Sequence, residues 1–206
     1  MVSPDLRSPK QDRSRATRQR LLAATIDCLA EMGWSATTVG VVAARAGVSR
    51  GAAQHHFPTK EDLITTALEY MFDQRTTAVD EEAARLPAGP ERTEAVVLRV
   101  IDYCAGSLFK AALQVWTAAA SDPELRARIL PLEERFGRDT HRMAVAQLGV
   151  DDRDPQIRAL IQATLDLARG LGLADVLHDD SRRRTRIARA WASQLDVALS
   201  AAASGT

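Results

Sequence analysis

The chain has 206 residues, 46% hydrophobic and 26% charged, so it is long enough and apolar enough to fold around a core. Its formal net charge is zero, yet the first 60 residues hold nine Lys or Arg against four Asp or Glu, which predicts a nucleic-acid contact near the N-terminus. The chain begins without an apolar signal segment, and no run approaches the roughly 18 apolar residues of a membrane span. We therefore predict a cytoplasmic protein with no membrane partner.

The N-terminal third of the sequence predicts an arm followed by three helices. Residues 1–13 combine two prolines with alternating charges and no apolar period, which predicts a flexible basic arm. Apolar residues then recur at helical spacing from near Ser14, and this first helix is expected to end at Gly33. Two short helices follow, and the second is expected to begin after Ser49 and to end at His56.

The rest of the chain is also helical in pattern. Thr59 begins a capping sequence that opens a fourth helix, and Leu86–Pro90 is the clearest break in the chain. Further helices are predicted at about 91–105, 107–120, 123–148, 155–177 and 182–202. No segment alternates between apolar and polar residues as a strand would. The sequence thus predicts an all-α fold of about nine helices, with one domain at 14–60 and a second at 61–206.

The stretch Val42–Ser49 carries the residue types of a tight turn between two crossing helices. Ala43 is small enough to let the helices approach, and Gly47 can adopt the left-handed conformation of the turn. Val48 can pin the turn into the core, and Ser49 can cap the next helix. This pattern is typical of a helix-turn-helix, whose second helix enters the major groove of DNA.

Five segments of the sequence together resemble the N-terminal signature of the TetR family of transcriptional repressors. They are Thr37–Val39, Ala46–Ser49, Gly51, His56–Phe57 and Lys60–Leu63. The resemblance covers about residues 13–72, and beyond it the chain is similar to the family only in being helical and of fitting length. It implies a homodimer that binds a palindromic double-stranded operator and releases it when a small-molecule effector occupies the C-terminal domain.

The resemblance also implies which side chains contact DNA. The predicted set is Thr38, Ser49, Arg50, Gly51, Gln54, His55, His56 and Lys60. In this set Arg50 is suited to a bidentate contact with guanine, and Lys60 to a phosphate. Ala53 and Gln54 replace the leucine and tyrosine that usually precede the family's histidine, so a different sequence preference is expected. We expect Arg45 to be a solvated surface charge, and the basic arm to be either a DNA contact or a solubility tail.

The C-terminal half is expected to hold the dimer and the effector. Apolar stripes on its last two helices predict a dimer interface formed by Ile157, Leu160, Ile161, Thr164, Leu165, Ile187, Trp191 and Leu195. The same stripes would also suit packing within one subunit. Candidates for the effector pocket are Met71, Tyr103, Phe109, Trp116, Phe136, His141, Gln162 and Asp166.

Two other functions fit an all-α chain. A small enzyme would need a nucleophile with its base, a phosphate loop or a metal cluster, and the sequence contains no such motif. His55 and His56 are adjacent, so they point to different faces of a helix and make a poor metal site. We therefore predict no catalytic residue, metal or cofactor. A helical adaptor that binds protein instead of DNA remains the main alternative.

Overall fold

The computed structural model describes residues 9–83 and 85–204, and within these ranges the chain forms nine α-helices and no strand. The helices are α1 (Pro9–Ala36), α2 (Val39–Arg45), α3 (Arg50–His56), α4 (Lys60–Ala83), α5 (Pro90–Tyr103), α6 (Ser107–Ser121), α7 (Pro123–Leu148), α8 (Pro155–Ala174) and α9 (Ser181–Ser204). This architecture confirms the predicted all-α fold. In the described part of the chain, none of the helices combines the length and the apolar character needed to span a bilayer.

The first helix is longer at both ends than the sequence pattern indicated. It begins at Pro9, so residues 9–13 of the predicted flexible arm are helical, whereas the arm before them lies outside the described residues. Proline is favoured in the first turn of a helix, where its missing N–H costs no hydrogen bond. Gly33 (φ 78°, ψ 179°) kinks the helix where a stop was predicted, and one more turn leads to Ala36.

The turn between α2 and α3 has the predicted chemistry. Gly47 has a φ of 63°, a conformation that side chains with a Cβ rarely adopt. The Thr38 hydroxyl accepts a hydrogen bond from the Val41 amide, and the Ser49 hydroxyl accepts one from the Ala52 amide. Each short helix therefore begins with a side-chain cap.

The contacts divide the chain into two compact units whose boundaries differ from the predicted one at residue 60. The first unit contains the described residues up to Asp73 together with Ala111–Ile129. The second contains Gln74–Lys110 and the described residues from Leu130 onward. The first unit thus includes segments of α4, α6 and α7 in addition to the three N-terminal helices.

Within the first unit, residues 111–129 contact the N-terminal helices through polar side chains. A Cβ at Gly33 would lie 3.0 Å from Oε1 of Gln114, so the kink in α1 is closely covered by α6. Arg128 of α7 forms an ion pair of 3.1 Å with Asp62 of α4. These contacts explain why the boundary does not follow the end of α3.

The second unit is built around α5, which packs against both α8 and α9. Gly172 of α8 lies against the backbone that follows α5. A Cβ at this position would lie 2.1 Å from the carbonyl oxygen of Cys104 and 2.8 Å from Cε1 of Phe109. Only a residue without a side chain allows this approach.

A compensated group of charges holds the start of α9 in the second unit. The Asp175 carboxylate accepts hydrogen bonds from Arg184 (2.5 Å) and from the Asp180 amide (3.1 Å), and it lies 3.4 Å from Nζ of Lys110. Burial acts to raise the pKa of Asp175, but these donors outweigh it and lower that pKa.

We expect Gly172→Ala to destabilise the protein by about 3 kcal/mol, because the new methyl group collides with backbone that cannot move alone. Gly137→Ala is the matched control, since Gly137 lies inside α7 and nothing approaches within 4 Å of its Cβ position. This control should stabilise the protein by about 0.5–1 kcal/mol. Urea unfolding at one fixed protein concentration measures both, and equal effects of the two substitutions would contradict the packing described here.

Candidate functional site

The helix α3 has one buried and one exposed face. Ala53 and Phe57, four positions apart, are almost fully buried. Arg50, Gly51, Gln54 and His55 are exposed, and His56 is half-buried. Phe57 follows α3 as its C-cap, with extended backbone, so Ala53 marks the buried face of the helix itself and leaves the predicted base-contacting positions on the outside.

Thr38 and Ser49 are exposed at the starts of α2 and α3. Both hydroxyl oxygens already accept an amide hydrogen bond within the chain. A hydroxyl has two acceptor lone pairs and one proton to donate, so each can still donate to a phosphate oxygen.

The ammonium group of Lys60 is held by α1. Its Nζ donates a hydrogen bond of 2.5 Å to the carbonyl oxygen of Trp34 and lies 4.1 Å from the centre of the Trp34 ring. Burial of this group lowers the pKa of Lys60. The sequence motif predicted a phosphate contact for Lys60 but not its tie to Trp34, since only the fold brings residues 34 and 60 together.

The N-terminal part of α1 presents further positive charge. Arg13, Arg15, Arg18 and Arg20 are exposed. The guanidinium of Arg18 lies 5.4 Å from the centre of the Phe57 ring, so α1 and the end of α3 are neighbours. The side chain of Lys10 is not described, and Arg7 lies outside the described residues.

Arg45 of α2 has an anionic partner in another helix, whereas Arg15 pairs with Asp12 inside α1. Its Nη2 lies 2.6 Å from Oε2 of Glu31, and this contact to α1 is exposed. The hydrogen bond from Arg45 to Glu31 raises the pKa of Arg45. This environment agrees with the interpretation of Arg45 as a surface charge.

The second unit contains a half-buried polar group around Tyr103. The guanidinium Cζ of Arg75 lies 4.7 Å from the centre of the Tyr103 ring. Burial raises the pKa of Tyr103, and it raises the pKa of the neighbouring Cys104 to about 11. Sequence reasoning selected Tyr103 but missed Arg75, because nothing in the pattern of α4 distinguishes Arg75 from a surface arginine.

The other candidates for an effector pocket do not form one group. Met71 and Trp116 belong to the first unit, and the remaining six to the second. In the second unit Phe109 is buried, whereas Gln162 and Asp166 are exposed and bond to each other on the outside of α8. Tyr103, Phe136 and His141 are half-buried.

The apolar stripes of α8 and α9 face the interior of the second unit. Of the eight residues predicted to form the dimer interface, five are buried within the chain itself, namely Ile157, Ile161, Thr164, Leu165 and Leu195. Leu160, Ile187 and Trp191 are half-buried, and the indole of Trp191 donates a hydrogen bond to the Thr164 hydroxyl. Because α5 of the same chain packs against both helices, the alternative of packing within one subunit accounts for these stripes.

Comparisons with known proteins agree with this geometry. The family model for bacterial regulatory proteins of the tetR family matches residues 21–67, which contain α2, α3 and the parts of α1 and α4 next to them. The HTH-type transcriptional regulator CymR of Pseudomonas putida is 31% identical over 134 residues, covering 65% of this chain and 66% of CymR.

Solved structures match over most of the chain. A transcriptional regulator from Rhodococcus sp. Rha1 has a TM-score of 0.67 at 21% identity, over 86% of this chain and 95% of that one. FadR from Bacillus subtilis, solved in complex with stearoyl-CoA, has a TM-score of 0.60 at 19% identity, over 86% and 96%. These two likenesses concern the fold. The matched family model and the identity to CymR show that the chain belongs to the TetR family of transcriptional regulators.

Proposed function

We propose that the protein is a dimeric repressor, which binds a palindromic operator through α3 and leaves it when a small organic molecule binds the second unit. The observation that carries the proposal is the exposed face of α3, the capped second helix of the helix-turn-helix. This face is formed by Arg50, Gly51, Gln54 and His55. Such a protein acts where the operator is, in the cytoplasm.

The exposed side chains of α3 suit direct reading of base edges. Arg50 can donate two hydrogen bonds to a guanine, and Gln54 can donate to and accept from an adenine. Thr38, Ser49 and His56 lie where they can meet phosphates, and these contacts would fix the orientation of the protein without reading the sequence. Lys60 would add charge at the backbone while it remains bonded to Trp34.

Gly51 supports a close approach of DNA to α3. No atom of the described residues outside the helix's own backbone lies within 4 Å of the position of its missing Cβ, so its small size serves no contact there. A glycine inside a helix costs about 0.5–1 kcal/mol relative to alanine. Because the fold does not require glycine at this position, we attribute Gly51 to the sugar-phosphate backbone of DNA, which would occupy the space beside it.

The outer faces of α8 and α9 suit a second copy of the chain. They carry exposed small or apolar residues at helical spacing, namely Ala159, Ala163, Gly170 and Leu173 on α8, and Ala190, Ser193 and Val197 on α9. Two such helices from each subunit can form a four-helix contact about a twofold axis. A twofold dimer would place its two α3 helices in successive major grooves, about 34–36 Å apart.

Release of the operator would follow from differential binding of an effector. A molecule that binds the second unit more tightly in a DNA-incompetent conformation lowers operator affinity by that difference in binding free energy. The complex of FadR with stearoyl-CoA supports an effector site in proteins of this fold.

Operator binding is tested by gel shift with the intergenic DNA upstream of the gene, against a random duplex at the same moderate salt. We expect Arg50→Ala to weaken specific binding by about 1–3 kcal/mol and to relax the preference at one base pair. Arg45→Ala removes the same charge from a side chain paired with Glu31 and should change binding little. If the wild-type protein binds both duplexes with equal affinity, the adaptor hypothesis is favoured and the repressor proposal is wrong.

Gly51→Ala separates folding from DNA binding. We expect it to raise the free energy of unfolding by about 0.5–1 kcal/mol, because alanine is the better helix former. Operator affinity should fall by about tenfold, or about 1.4 kcal/mol, because the methyl group occupies space needed by the DNA. Unfolding curves and fluorescence anisotropy measure the two effects, and undiminished operator affinity would contradict a close approach at Gly51.

Val197→Glu tests the proposed dimer face. Val197 is 66% exposed, and a carboxylate there would be buried without a partner when two copies pair. That burial costs about 3 kcal/mol or more, so we expect sedimentation to detect a monomer where the wild-type protein is a dimer. Leu130→Glu, at an exposed leucine of α7, is the control and should remain dimeric. A dimeric Val197→Glu protein would remove this face from the interface.

A further inference from the structure

Arg75 is a half-buried cation of the second unit, and none of the described residues offers it an anion. Its Nε is inaccessible to solvent and has no hydrogen-bond partner within the described part of the chain. Its guanidinium lies against the face of the Tyr103 ring at 4.7 Å. Among the residues that the structure describes, Arg75 has no carboxylate within ion-pair distance, so only an aromatic face supports the charge.

This arrangement of Arg75 lowers the stability of the protein when no ligand is bound. Removing a guanidinium N–H from water without a hydrogen-bond acceptor carries the full desolvation penalty of a charged donor. A cation–π contact returns only part of it. The same unit contains a counter-example, because the buried guanidinium of Arg184 lies 2.5 Å from the Asp175 carboxylate. The fold thus gives Arg184 an anionic partner, and among the described residues it gives Arg75 none.

The surroundings of Arg75 leave room beside the charge. Gly106 follows α5, and the position of its missing Cβ is 3.9 Å from Nη1 of Arg75. The φ of Gly106 is not positive, so the backbone conformation does not require glycine there. A methyl-sized space thus lies next to the guanidinium at the turn between α5 and α6.

Two further titratable groups lie close to this point. Glu133 of α7 interacts electrostatically with Tyr103, and Arg169 of α8 interacts with both Glu133 and Cys104. Arg169 is compensated, since its Nη1 lies 2.5 Å from Oδ1 of Asp166. Burial raises the pKa of Glu133, against the opposing effect of Arg169. Of the two arginines in this group, Arg75 is thus the one without a carboxylate partner among the described residues.

We propose that the effector is a small organic acid whose carboxylate pairs with the guanidinium of Arg75 over the ring of Tyr103. This inference rests on the proposed function, because it names the chemistry of the molecule that would release the operator. A carboxylate matches the fork of donors on a guanidinium and would pair with its Nη atoms, beside the space at Gly106. A phosphate dianion fits less well, because a single guanidinium cannot match two negative charges and the Glu133 carboxyl group lies nearby.

The first experiment measures direct binding to the full chain by calorimetry at neutral pH. The probes are hexanoate and benzoate, with hexanamide and benzamide as neutral matches and hexyl phosphate as the dianionic match. We expect at least one acid to bind, and its amide to bind roughly 10- to 100-fold more weakly. Binding of no acid, equal binding of acid and amide, or preference for the phosphate overturns the inference.

Arg75→Gln should weaken the bound acid roughly 10- to 100-fold and leave the amide unchanged. Arg75→Lys keeps the positive charge but loses the paired donors of the guanidinium. Its affinity for the acid should therefore lie between that of Arg75→Gln and that of the wild-type protein. Arg135→Gln is the matched control, because Arg135 also lies over an aromatic ring, 5.9 Å from the centre of Phe136, but has Asp139 as a partner at 3.6 Å. If Arg75→Gln and Arg135→Gln reduce the affinity for the acid equally, the inference is wrong.

Operator release distinguishes this inference from the proposed function. In the absence of acid, the Arg75→Gln protein should bind the operator as the wild type does, and the effective acid should release the wild type but not the variant. If the wild-type protein binds the operator but none of the acids releases it, the organic-acid effector is wrong, and the proposal of a DNA-binding regulator still holds. A wild-type protein that binds the acid in an Arg75-dependent way but no operator supports the site and contradicts the repressor.

Discussion

The burial of Ala53 and Phe57 determines what α3 can present to DNA. Both side chains are almost inaccessible to solvent, Ala53 inside this helix of only seven residues and Phe57 at its C-cap, so together they fix the orientation of α3. A helix this short has little stability of its own and takes its orientation from packing. The caps at Thr38 and Ser49 and the left-handed turn at Gly47 then fix where α2 and α3 begin. The exposed positions of α3 follow from these buried contacts.

The two units treat buried charge in different ways. In the first unit, the Lys60 ammonium is held by a carbonyl oxygen and by the face of the Trp34 ring, which partly replace its water shell. In the second unit, Arg184 has the carboxylate of Asp175, whereas among the described residues Arg75 has only the face of Tyr103. This difference between Arg75 and the other two cations is the basis of the effector contact that we propose.

The sequence predicted the local structure well and the long-range contacts poorly. The bounds of the five helices after Pro87 differ from the predicted ones by at most three residues, because caps, prolines and apolar periods are local signals. The same periods identified the buried faces of α8 and α9 but could not tell whether a partner subunit or α5 covers them. Arg75 and Tyr103 come from different helices, and the contact between Gly172 and the Cys104 carbonyl spans 68 positions of the chain. No local pattern reports such pairs.

The exposed face of α3 has a consequence for how this regulator can diverge. Arg50, Gly51 and Gln54 are solvent-exposed, and at Gly51 the fold would accept a larger residue without a clash. Surface substitutions away from packing contacts usually change stability by less than about 0.5 kcal/mol. The residues that would read DNA are therefore nearly independent of those that keep the protein folded. A duplicated copy of the gene could acquire a new binding sequence through a few substitutions in one helix while keeping the same core.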